Sequence, residues 1–136
     1  MNIELPGLSA EDSKRLMAMG EREAFKEGQW LIQADEAMDS VFWIVEGSAQ
    51  VSHDRIMFED PVVADLAAGE MLGELSFLDG RPASTQVRAL ADGELLAVKH
   101  EALTAAIESD PQFGTRFHRY LALTIGNRLR RMLHLV

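Results

Sequence analysis

The segment from Gly69 to Gly80 carries the residues best suited to holding a small anion. Gly69, Gly73 and Gly80 punctuate it, its apolar residues do not alternate, and Glu74, Leu75 and Ser76 follow Gly73 directly. Glycine lets a backbone approach a ligand closely, and a turn presents N–H groups able to cradle a phosphate. Other chemistries lack their residues. The chain has no cysteine, which removes disulfides, thiolate catalysis and cysteine-ligated zinc or iron–sulfur clusters. His53, His100, His118 and His134 are scattered with no His-x-His pair, so no metal site is expected. Gly-x-Ser-x-Gly is absent and the carboxylates form no obvious catalytic pair, so no enzyme is expected either.

The elements around this loop read clearly. Ser9 is a good N-cap, Glu11 and Asp12 fall in a first turn and Gly20 supplies a stop, which predicts a helix over about 10–19. From about 23 to 98 short alternating or wholly apolar runs are separated by Gly, Asp and Pro. Strands are predicted at Glu23–Phe25, Trp30–Gln33, Val41–Val45, Ser48–Ser52, Arg55–Phe58, Val62–Leu66, Ser84–Leu90 and Glu94–Val98. The glycine loop, over 69–83, interrupts them. A helix over about 100–108 follows, and Asp110-Pro111 then opens a longer one over 111–136 as N-cap and first helical residue. Phe113, Phe117, Leu121, Ile125, Leu129, Met132 and Val136 form its apolar stripe, which either packs on the strands or pairs with a second subunit. The stripe runs to the last residue uncapped, the pattern of a helix cut from a longer chain. The expectation is one domain over 1–136, mainly β with flanking helices: an eight-stranded antiparallel β-roll of the α+β class, with one helix before it and two after.

Charge narrows the function. A chain of 136 residues with a formal net charge of -9 is poorly suited to phosphate backbones, so nucleic acid is not the expected partner. The charge is uneven: from Pro111 onward there is no acid, but Arg116, Arg119, Arg128, Arg130 and Arg131 are present. A helix so basic either meets an acidic surface, on its own domain or on a protein partner, or is a solvated helix with its cations toward the C-terminus, where the macrodipole favours them. No signal peptide is evident, and the longest apolar run, Val41–Val45, is too short to span a bilayer. A cytoplasmic protein without membrane contact is expected.

In order of elements and in residues the chain resembles the cyclic nucleotide-binding domain, the ligand module of catabolite-activator-type regulators, protein kinase A regulatory subunits and gated channels. Leu31-Ile32, Val41-Phe42-Trp43-Ile44 and Gly47 match the spacing of that family's first signature, with Asp35 where glycine is usual and Met38 where a small residue is usual. The second signature opens with Leu72-Gly73-Glu74-Leu75-Ser76 and closes with Ser84, Val87 and Ala89. The resemblance covers roughly Phe25 to Arg130, most of a typical domain. It implies that Glu74 takes a ribose 2′-hydroxyl and that the backbone of Gly73, Leu75 and Ser76 receives the cyclic phosphate. It also implies an arginine just before the following strand, to neutralise that phosphate.

That arginine is missing. Ala83 stands in its place, with Thr85 where alanine is usual, Phe77 where a smaller aliphatic is usual, and Ser84 between Ala83 and Thr85. Losing one partner of a buried charge pair costs on the order of 2–5 kcal/mol. Arg81 is a possible substitute across Pro82, and Arg88 a weaker one, on an alternating strand with Gln86 and Ser84. The sequence therefore reads as a non-catalytic regulatory domain with weak or no cyclic AMP or GMP binding and no cofactor beyond a possible cyclic nucleotide. It acts through a protein partner or as a homodimer along the last helix, where Phe117, Leu121, Ile125, Leu129 and Met132 are the lid or dimer residues. Gly126 on that helix suits the close approach of another backbone. The alternatives are a true receptor for cyclic AMP or a cyclic dinucleotide that uses Arg81 and, more distantly, a cupin-like roll enzyme. No helix-turn-helix is expected within these residues.

Overall fold

In the computed structural model residues 5–53 and 62–133 are described. The helix α1 (Ala10–Met19) precedes the strands β1 (Glu21–Phe25), β2 (Trp30–Ile32), β3 (Ser40–Glu46), β4 (Ser48–Ser52), β5 (Val62–Ala67) and β6 (Met71–Leu72). The helix α2 (Glu74–Asp79), the strands β7 (Gln86–Ala89) and β8 (Gly93–Lys99), and the helices α3 (His100–Ser109) and α4 (Pro111–Met132) follow. The strands form two four-stranded antiparallel sheets, ordered β1-β8-β3-β6 and β2-β7-β4-β5. This is the expected roll with flanking helices.

Two cores explain the texture of the strands. Between the first sheet and the helices lie Leu16, Val41, Trp43, Val45, Met71, Leu96, Val98, Leu103, Phe113, Phe117 and Leu121. Inside the roll lie Phe25, Ile32, Ile44, Leu66, Leu72, Val87 and Leu95. Successive side chains of a strand point to opposite faces. β3 is therefore apolar from Val41 to Val45 because Val41, Trp43 and Val45 enter one core while Ile44 enters the other. β6 works the same way in two residues, Met71 facing the helices and Leu72 the roll. This strand was expected to be loop, because two residues are too few for alternation to show. The run expected at Arg55–Phe58 lies outside the described residues.

The helices begin as their caps dictate. Ser9 and Asp12 form a capping box, each side chain bonded to the other's backbone N–H, and Asp110 accepts from the Phe113 N–H with Pro111 at the first helical position. The apolar stripe of α4 packs on its own roll: Phe113, Phe117 and Leu121 are buried, and Tyr120 beside them accepts a buried hydrogen bond from Trp43 Nε1 at 3.0 Å. Phe77 stands edge-on to Phe117 at 6.2 Å, so the bulky residue of the glycine loop ties α2 to α4. No helix among the described residues is long and apolar enough to cross a membrane.

Candidate functional site

Gly73 starts the site. Its φ of +80° is left-handed, and a Cβ there would sit 3.3 Å from Met38 and 3.4 Å from the Ser40 carbonyl oxygen. The angle is what favours glycine, since in space a Cβ would ask only that the flexible Met38 methyl give by a few tenths of an ångström. Turning there sends the chain from β6 directly into α2, which places Glu74, Leu75 and Ser76 at one end of a cavity of about 220 Å³. Ala83, Ser84, Thr85 and Val87 form a second wall, and Ile32, Val51 and Ala64 of the roll a third. Ile125, Arg128, Leu129 and Met132 of α4 close over it. The structure thus brings together Gly73, Glu74, Leu75, Ser76, Ala83, Ser84 and Thr85.

Ala83 is held by its backbone. Its N–H donates to the Glu36 carbonyl and its own carbonyl accepts from the Asp35 N–H, both at 2.8 Å. Asp35 has a φ of +67°, the only positive value for a residue other than glycine among those described. The position where glycine is usual in the family therefore does need the left-handed region, which aspartate tolerates better than most residues. The loop bearing Ala83 is firmly placed, but a methyl group occupies the expected position of the cation.

Neither alternative arginine lines the cavity. Arg81 is exposed, its backbone N–H bonded to Asp79 Oδ1 at 2.9 Å. Arg88 points away: its Nε donates to the Gly28 carbonyl at 3.0 Å and its guanidinium lies 5.3 Å from the Trp30 ring centre. The cation that does reach the cavity is Arg128. Its Nη1 lies 2.5 Å from Glu74 Oε1, and its Nη2 donates to the Met71 carbonyl. The side chains are only 15% and 10% exposed for Arg128 and Glu74, so this is a buried pair. Sequence reasoning counted Arg128 among the basic residues of the helix and passed over it as a site residue. The signal was present: Arg128 follows Leu121 and Ile125 and precedes Met132 at steps of four, three and four, a charge on the apolar face.

Two more arginines of the basic helix also find acids of its own domain. Arg116 makes two hydrogen bonds to the Asp12 carboxylate at 2.8 and 2.9 Å, and Arg131 lies 3.3 Å from Glu70. Arg116 holds the Asp12 carboxyl below the ordinary carboxylate range, despite burial that works the other way. Of the lid or dimer residues, Phe117 and Leu121 are fixed in the core, while Ile125, Leu129 and Met132 roof the cavity. A Cβ on Gly126 would meet nothing within 4 Å, so nothing among the described residues accounts for the glycine.

Comparison with known proteins agrees with this architecture. The model of the cyclic nucleotide-binding domain family matches residues 22–110. An uncharacterized NTE family protein of Mycobacterium tuberculosis is 31% identical over 118 residues, 87% of this chain and 20% of that protein. The human voltage-gated delayed rectifier potassium channel KCNH1 is 33% identical over 105 residues, 76% of this chain and 10% of the channel. The chain thus spans a fifth or less of these curated relatives. The crystal structure of the catabolite activator protein of Thermus thermophilus superposes with a TM-score of 0.77 at 25% identity, over 93% of this chain and 57% of that one. With more than half of its residues inside the family match and its roll superposing on such a regulator, the chain belongs to the cyclic nucleotide-binding domain family.

Proposed function

We propose that this chain is a non-catalytic regulatory domain that binds cyclic AMP and cyclic GMP weakly or not at all and acts through protein contacts, self-association along α4 included. The pairing of Glu74 with Arg128 carries this reading. The carboxylate expected to take a ribose hydroxyl is already bonded to a guanidinium, and Ala83, where the resemblance leads one to expect the phosphate's arginine, lines the cavity. A cyclic nucleotide has to separate a buried ion pair and then bury its own anion opposite a methyl group. Self-association is supported by what α4 leaves uncovered: Leu123 is exposed, as is Leu133 just past the helix, and a Cβ on Gly126 would meet nothing within 4 Å among the described residues.

Calorimetric titration with cyclic AMP and cyclic GMP tests the ligand reading. The parent protein is expected to give little heat, and Ala83→Arg to bind measurably, with a gain on the order of 30-fold or more from restoring a buried charge partner. Tight binding by the parent that is lost in Arg81→Ala would replace this reading with a true receptor that uses Arg81.

A further inference from the structure

We infer that the cavity under α4 takes a small uncharged apolar molecule, one with an aliphatic or aromatic body and at most a hydroxyl as its polar group. This inference rests on the reading that cyclic nucleotides are not its main ligand, and it names what the same cavity accepts instead. Charge decides first. Among the described residues the ionisable side chains lining the cavity are Glu74 and Arg128, and each is spent on the other. An anionic guest finds no free cation and a cationic guest no free carboxylate. A neutral guest leaves the pair intact.

The walls decide next. Ile32, Val51, Leu72, Val87 and Ile125 present aliphatic surface, and the Ala83 methyl group extends it where a charge was expected. Ser76, Ser84 and Thr85 add hydroxyls to the lining, enough to bond a single neutral polar group. The cavity, at about 220 Å³, exceeds the roughly 150 Å³ that suffices for an aliphatic pocket to hold benzene. At the roof Leu129 is 49% and Met132 46% exposed, apolar surface that a guest would cover. Methionine, unbranched and polarizable, adapts to guests of different shape.

The test uses N-phenylnaphthylamine, a neutral dye that brightens in apolar surroundings, with octanol, octanoate at pH 8 and cyclic AMP as competitors. The dye is expected to brighten on binding and octanol to displace it. Octanoate, the same chain with a charge, is expected to compete on the order of tenfold more weakly, since its carboxylate would be buried unpaired. Ser84→Trp, at an exposed rim position, and Ala83→Leu, at a buried one, are each expected to weaken the dye while circular dichroism reports an unchanged fold. Absence of dye binding, competition by octanoate equal to that of octanol, or dye binding indifferent to both variants overturns the inference. Displacement by cyclic AMP at low micromolar concentration overturns the proposed function as well. A protein that gives no heat with cyclic AMP and binds no dye overturns this inference alone.

Discussion

Glu74 is a carboxylate withdrawn from water and matched to a guanidinium 54 residues downstream. A buried ion pair contributes little over an apolar pair of the same shape, but breaking it by removing one member is costly. Arg128→Leu is therefore expected to lower stability by about 3 kcal/mol in urea unfolding, because Glu74 is left charged and alone. Adding Glu74→Leu should recover most of that loss. Equal stability of Arg128→Leu and the parent would show that the pair contributes nothing. Glu74 itself was legible from its neighbours Gly73 and Leu75. Its partner was not, since residue type and local spacing do not say which distant carboxylate an arginine meets.

At the scale of elements, ion pairs join α1 to the first turns of α4 and its cap. Asp12 caps its own helix and binds Arg116, while Arg15 reaches Asp110 at 2.9 Å and lies over the Phe113 ring. The folded-state pKa of Asp12 lies below its ordinary value, so its contribution is complete above about pH 4 and is lost as pH falls through the lowered folded value. Asp12→Asn is expected to cost about 1–3 kcal/mol at pH 7. The gap between variant and parent should close as urea midpoints are followed down from pH 5 toward pH 3. A gap of constant size across that range would remove Asp12 from the acid sensitivity. Most elements were readable because caps, glycines and alternation are local signals. β6 was the exception, a strand whose existence depends on pairing Met71 with Trp43 and Leu72 with Phe42.

For the whole molecule, the basic end of the chain and its acidic remainder close on each other. Arg116, Arg128 and Arg131 meet Asp12, Glu74 and Glu70, so the charge asymmetry is in good part an internal fit between α4 and the rest of the domain. What α4 leaves over is its outer face. On the proposed self-association along α4, Gly126→Trp is expected to shift dimer to monomer in sedimentation velocity with the fold unchanged, since a Cβ there meets nothing within 4 Å among the described residues. In a chain that is monomeric from the outset, Gly126→Ala should instead simply raise stability, by up to about 1 kcal/mol. An unaltered dimer in Gly126→Trp would place self-association elsewhere.

By itself the sequence determined the roll, its caps and the Gly73-Glu74 turn, and it set Ala83 where the family resemblance leads one to expect an arginine. Each of these follows from local periodicity, backbone conformation or the presence of a single side chain. Only the tertiary structure decided which cation reaches the cavity. Arg128 reaches the cavity because α4 folds back across the roll, driven by Phe113, Phe117 and Leu121 entering the core. Burial of an apolar stripe is non-directional and proportional to area, so the stripe announced that α4 must be covered without saying by what. The side-chain geometry that brings Arg128 onto Glu74 is a property of the packed pair, and no stretch of sequence contains it.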